Sequence, residues 1–174
     1  MFLETKRLIL REFKVDDLQD FHEIFGDPEV MKNAEPPYSL ERSEAFLKEF
    51  CIERDPKGGF AVVLLETSKV IGYLLFCSVD DPEVFEIGWV FNKNYWRQGF
   101  AFEACSRLIN YGFEELELHK IYAEAIDADK SVPLMKKLGM KYEGTQKQHT
   151  KNQEGTWCDL HWYAILGEDY FLVK

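Results

Sequence analysis

Residues 94–104 join two different hydrophobic periods, and few folds permit that junction. Before it, residues 84–91 alternate. Phe85, Ile87, Trp89 and Phe91 share one face, and Val84, Glu86, Gly88 and Val90 share the other, as in a strand. From Phe100 onward a helical period takes over, with Ala101, Ala104, Cys105, Leu108, Ile109, Gly112, Phe113 and Leu116 on one side of a helix over residues 100–116. A helix of that length after a strand makes a crossover, so the next β-like run, residues 120–126, is expected to lie parallel to its predecessor. Between strand and helix sit Gly99 and Ala101. The first N–H groups of a helix have no partners within it, and the helix dipole favours an anion there. Small residues let a ligand come close to that backbone. Two readings follow: a phosphate or pyrophosphate cradle, or a polar turn entering a surface helix.

The rest of the chain supplies one layer system. Residues 7–11 form a short β-like run. Asp16 and Asp17 open a helix with Leu18, Phe21, His22, Ile24 and Phe25 about a turn apart, stopped at Gly26-Asp27-Pro28. Residues 29–39 carry Pro36-Pro37 and read as an ordered loop. Ser39 starts a second helix whose stripe is Ala45, Phe46, Phe50 and Cys51. Strands over residues 60–65 and 70–78 form a hairpin across 66–69. A polar loop over 127–130 opens a short helix over 131–138, which Gly139 ends. Strands over 141–146 and 156–166 close the chain around a turn at 152–155. The order predicts a single mixed α/β domain over residues 1–174.

Composition removes several function classes. The chain carries a formal net charge of −10, which disfavours nucleic acid and either steers cationic partners such as amines or simply aids solubility. None of the four cysteines, Cys51, Cys77, Cys105 and Cys158, forms a C-x-x-C, and no Cys/His cluster has metal-site spacing. They read as reduced core residues of a cytoplasmic protein. No apolar run approaches the about 20 residues of a membrane span, and no signal peptide opens the chain. Neither G-x-x-x-x-G-K-[ST] nor G-x-G-x-x-G occurs, which disfavours a nucleotide-dependent phosphotransferase.

Specific motifs sharpen the first reading. They are Thr5-Lys6-Arg7-Leu8-Ile9-Leu10-Arg11, Asp27-Pro28-Glu29-Val30-Met31, and Glu86-Ile87-Gly88-Trp89-Val90-Phe91 followed by Tyr95-Trp96-Arg97-Gln98-Gly99-Phe100-Ala101-Phe102-Glu103-Ala104. Ser131, Lys137-Leu138-Gly139-Met140, Glu143-Gly144 and Asp159 complete the set. Together they resemble the GNAT N-acetyltransferases, more narrowly the branch that includes ribosomal-protein N-terminal acetyltransferases, over nearly the whole chain. The resemblance implies a single-domain GNAT fold, with a mixed, mostly antiparallel central sheet of about seven strands flanked by about four helices. It implies acetyl-CoA as co-substrate, without a metal. The backbone of Arg97, Gln98, Gly99, Phe100 and Ala101 would hold its pyrophosphate, the strand end at Val90 and Phe91 its pantetheine arm, and Ser131 its sulfur. Trp96 stands where the family pattern has Gln or Arg. Met135 stands where the wider superfamily has a tyrosine. Ala128, between Asp127 and Asp129, stands where an asparagine is expected.

Acetyl transfer to an amine needs proximity, a donor for the carbonyl oxygen, a base for the ammonium proton and an acid for the thiolate. A backbone N–H near Val90 or Phe91 is the candidate oxygen donor. Ser131 is the candidate acid, or else the N-cap of its helix. Glu86 is the first candidate base, because a half-buried carboxylate has a raised pKa; the alternative is a solvated or ion-paired glutamate. Asp159 is the second candidate, or a structural residue, with His161 and Glu154 behind it. The Glu35-Pro36-Pro37-Tyr38 segment is placed near the acceptor by the resemblance, whereas Phe85, Trp89 and Phe113 read as core. The leading expectation is an acetyl-CoA-dependent N-acetyltransferase acting on a primary amine, cationic in character: a protein N-terminus or a small molecule. The competing expectation is a catalytically weak acyl-CoA-binding module of the same fold. Oligomeric state stays open, a homodimer included.

Overall fold

The computed structural model describes residues 1–126 and 128–172. The chain runs β1 (Phe2–Glu4), β2 (Leu8–Glu12), α1 (Leu18–Phe25), α2 (Leu40–Phe46), β3 (Gly59–Leu64), β4 (Val70–Ser78) and β5 (Val84–Phe91). It continues α3 (Phe100–Glu114), β6 (Lys120–Ala125), α4 (Ser131–Lys137), β7 (Lys141–Lys151), β8 (Trp157–Leu166) and α5 (Gly167–Leu172). A 3₁₀ turn at Val15–Asp17 leads into α1, another at Lys93–Tyr95 leads out of β5, and α2 widens into a π-type turn at Leu47–Glu53. Ser39 caps α2 by accepting from the Arg42 N–H at 3.2 Å.

Eight strands form one sheet in the order β1-β2-β3-β4-β5-β6-β8-β7. Every neighbouring pair is antiparallel except β5 and β6, the pair that the α3 crossover joins in parallel. The sheet therefore has one strand more than the expected seven, and the described residues hold five helices rather than four. The additional strand is β1, three residues long and too short to show a period. The additional helix is α5, a six-residue element that Gly167 opens. β7 runs on to Lys151 although residues 146–151 are polar throughout; pairing with β8, through a bulge between Gln146 and Thr150, carries it. Leu116 falls past the end of α3 and is exposed, whereas the rest of the α3 stripe is buried or half-buried.

Two cores sit on the two faces of the sheet. On one, α3 and α4 press Ala104, Cys105, Leu108, Phe113, Val132 and Met135 against Leu10, Val62, Leu74 and Ile87. On the other, α1 and the α2 segment bring Phe21, Ile24, Phe25, Leu47 and Cys51 onto Ala61, Val63 and Tyr73. Each large apolar side chain buried completely here contributes about 1.5–3 kcal/mol. Tyr38 belongs to this second core, its ring 5.3 Å from that of Phe25, so the proline-rich loop is anchored rather than loose. All four cysteines are free; Cys51, Cys77 and Cys105 are buried, and Cys158 is half-buried. Among the described residues no helix is long and apolar enough to cross a membrane.

Candidate active site

The site begins where two strands stop pairing. β5 pairs with β6 only from Val84 to Glu86, against Lys120 to Tyr122. Its other edge stays paired with β4 to Phe91, and β6 stays paired with β8 to Ala125. Beyond Glu86 and Tyr122 the sheet is thus split by a wedge. The Asn92 N–H bonds to the Ile71 carbonyl at 3.0 Å. Antiparallel alternation then turns the main-chain groups of Val90 towards β4, and those of Trp89 and Phe91 into the wedge.

At the wide end of the wedge lies the turn into α3. Arg97, Gln98 and Gly99 are exposed. Arg97 has φ +60° and Gly99 φ +81°, both left-handed. For Arg97 that conformation costs roughly 1–2 kcal/mol, and glycine adopts it freely. A Cβ on Gly99 would meet only the Arg7 Nη2 atom, at 3.5 Å, so the glycine is needed for its torsion and not for space. Among the described residues no side chain caps the helix at Gly99. The first bond within α3 runs from the Glu103 N–H to the Gly99 carbonyl at 3.0 Å, which leaves the N–H groups of Phe100, Ala101 and Phe102 without intrahelical partners. Exposed left-handed backbone, small residues and uncapped amides fit a diphosphate.

On the α1 and α2 face, the apex of the wedge carries acid and aromatic groups. Glu86 sits beside Cys77 on β4 and Tyr122 on β6. Burial pushes the Glu86 carboxyl above the ordinary carboxylate range, and the nearby Glu124 pushes the same way, while a hydrogen bond from Tyr122 opposes them. Glu124 is also raised, chiefly by burial, with His149 acting against it. The Tyr122 hydroxyl is held up at about 12, first by burial and then by Glu86 and Glu124. Its ring stacks on Trp162, centroids 5.3 Å apart, and the buried Trp162 indole N–H has no hydrogen-bond partner among the described residues. One wall of this face is the loop of residues 29–39 and the other is the β7–β8 hairpin. The Gln153 side-chain amide ties them by donating to the Met31 carbonyl and, at 2.8 Å, to the Glu35 carbonyl.

Residues 7–141 match the acetyltransferase (GNAT) domain family. The chain belongs to the GNAT acetyltransferase family. An N-acetyltransferase of Bacillus subtilis strain 168, YnaD, described as uncharacterized, is 38% identical over 98% of this chain and 99% of its own length. The crystal structure of a GNAT-family acetyltransferase from Bacillus anthracis superposes with a TM-score of 0.88 at 32% identity, covering 97% of this chain and 99% of that one. A spermidine N-acetyltransferase from Vibrio cholerae, solved with CoA and spermine, shares the fold with a TM-score of 0.82 at 24% identity, over 96% and 98% of the two chains.

In this GNAT acetyltransferase the remaining candidate residues fall in different places. Ser131 is the first residue of α4, and Lys130 rather than Ser131 occupies the cap position. α4 packs on the α3 face, which puts it on the side of the sheet opposite Glu86. Met135 is fully buried in the α3 core, and no phenol stands at that point. Asp127 lies outside the described residues. Asp159 forms an ion pair with Lys147 at 2.7 Å and accepts from the Gln148 N–H at 3.0 Å. The Lys147 bond first, then that N–H, hold its carboxyl below the usual range. It pins the β7 bulge, where Gln148 has φ +48°, and strand alternation puts it on the opposite face from Trp162 and Glu86. His161 bonds through Nδ1 to Thr145 Oγ1 at 2.9 Å, and Glu154 sits in the exposed β7–β8 turn.

Sequence reasoning did not single out Tyr122 and Glu124. Their signal is the alternation of β6, in which Ile121 and Ala123 are buried and Tyr122 and Glu124 are not. It gains meaning only once Glu86 is paired with Tyr122.

Proposed function

We propose that the chain moves the acetyl group of acetyl-CoA directly to the nitrogen of a cationic primary amine, with Glu86 as general base. The carrying observation is a half-buried carboxylate with a raised pKa at the apex of the wedge. Bound acetyl-CoA supplies an activated thioester. The backbone N–H groups of Arg97 to Ala101 hold its diphosphate, and the arm follows the open edge of β5. Glu86 takes the ammonium proton, and the freed amine forms the N–C bond as the C–S bond breaks. The Phe91 N–H, turned into the wedge, faces the carbonyl oxygen as charge develops. The Ser131 hydroxyl, reaching in from α4, gives a proton to the departing sulfur and is restored by the second proton, which the nitrogen sheds once it is acylated. Asp159 serves the bulge and not the proton transfer.

Several features support an amine arriving as a cation. The chain is acidic overall, at −10. Burial and the nearby Glu124 raise the cost of ionising Glu86, which a cation relieves. Tyr122 and Trp162 add aromatic faces that attract ammonium groups. A protein N-terminus and a small-molecule amine both fit this chemistry. Measuring thiol release from acetyl-CoA across a panel of primary amines and N-terminal peptides tests the reading. Turnover with at least one amine is expected, and it should fall with Glu86→Gln. Tight CoA binding without turnover on any amine would replace it with the acyl-CoA-binding module, which the buried Met135 favours.

A further inference from the structure

Arg7 and Glu103, far apart in sequence, lock the turn into α3 from behind. Glu103 receives Thr5 Oγ1 at 2.7 Å, the Arg7 main-chain N–H at 2.9 Å and Arg7 Nε at 2.7 Å. Arg7 Nη2 lies 2.7 Å from the same carboxylate. The other arm of the guanidinium, Nη1, donates to the Gln98 carbonyl at 3.1 Å, and its carbon sits 4.2 Å over the Phe100 ring. One planar side chain thus fastens a carbonyl before the helix and a carboxylate in its first turn. In a trans peptide the carbonyl and the following N–H point in opposite directions. Holding the Gln98 carbonyl towards Arg7 therefore aims the Gly99 N–H away from it. The same contact neutralises Glu103, an acid one turn from the uncapped amides. Burial disfavours the charged form of Glu103, but the bonds from Thr5 and Arg7 outweigh it and keep the carboxyl below its ordinary range.

We propose that Arg7 is a positioning residue for the co-substrate. By gripping the Gln98 carbonyl and Glu103 together it presets the Gly99 N–H and the first turn of α3 for a diphosphate. This rests on the reading of residues 97–101 as the diphosphate cradle. Two variants separate it from simpler roles. Arg7→Lys keeps the charge but loses the fork, so it cannot hold both oxygens at once. Glu103→Gln removes a negative charge beside an anion site, which by charge alone would tighten binding.

The test is calorimetric titration of each purified protein with CoA, together with the ¹⁵N–¹H shift of Gly99 in the ligand-free state. Arg7→Lys is expected to weaken CoA binding by about tenfold and to move the Gly99 amide resonance. Glu103→Gln is expected to weaken binding as well, against the direction of its charge change. Unchanged affinity and an unmoved Gly99 resonance in Arg7→Lys, or tighter binding in Glu103→Gln, would overturn the positioning role while leaving the cradle intact. A wild-type protein that does not bind CoA would overturn both. Should Arg7→Lys fail to fold, the sign of the Glu103→Gln effect decides alone.

Discussion

The Trp96 indole N–H donates to the Phe91 carbonyl at 2.8 Å. That carbonyl is the last on the open edge of β5, where alternation leaves it without a strand partner. Trp96 therefore closes the strand end one residue before the cradle, and Lys130, at the cap of α4, covers its ring at 4.6 Å. The position where the family pattern has Gln or Arg thus links β5, the cradle and the α4 approach through one aromatic side chain. Replacing it by Phe keeps the ring and deletes the bond. Trp96→Phe should lose about 1 kcal/mol of stability and loosen CoA binding, by thermal denaturation and titration. Unchanged values in both would separate Trp96 from the cradle.

Gly99 is required for its torsion. Its φ of +81° strains any L side chain, although no atom but Arg7 Nη2 stands in the way. Gly99→Ala should cost roughly 1–2 kcal/mol, and Gly99→Val should abolish acetyl-CoA binding while the domain stays folded. Circular dichroism and calorimetry check both parts.

With Glu86 as the proposed base, its ionisation sets the pH dependence. A base works ionised, and burial with Glu124 raises the pH at which Glu86 ionises. The rate, kcat/KM for the amine, should then rise with pH through a limb above the ordinary carboxylate range. Glu124→Gln removes the repulsion that favours the protonated form, so the limb should move to lower pH. Glu86→Gln should cost a factor of about 100 or more in turnover with little change in CoA affinity. A limb that stays in place in Glu124→Gln would contradict the coupling.

Gln153 holds the loop of residues 29–39 to the β7–β8 hairpin across the face that carries Glu86 and Glu124. Gln153→Ala should raise KM for the amine severalfold and leave CoA affinity unchanged, because the bonds it deletes lie on the face proposed to take the amine. Initial rates at varied amine, with CoA titration alongside, measure the split.

The elements that the chain encodes locally were legible. The two-residue period of residues 84–91 placed Glu86 with Gly88 and Val90, and the helix that follows implied the parallel β5–β6 pair. Ser39 acted as the cap that its residue type favours. The features that arise between distant segments were not legible. Tyr122 and Glu124 matter because of the register that brings Tyr122 beside Glu86, and no spacing within β6 reveals it. The grip of Arg7 on Glu103 spans 96 residues. The far half of β7 has no hydrophobic period, so only its partner strand makes it a strand. Asp159 showed its polar partners, Lys147 and Gln148, only once the bulge had brought them round.

The most direct measurement is a crystal structure of the protein with CoA. The diphosphate oxygens are expected within hydrogen-bond distance of the N–H groups between Arg97 and Ala101, with the sulfur in the wedge beside Glu86. A diphosphate bound elsewhere, or a sulfur outside the wedge and away from Glu86, would contradict the account.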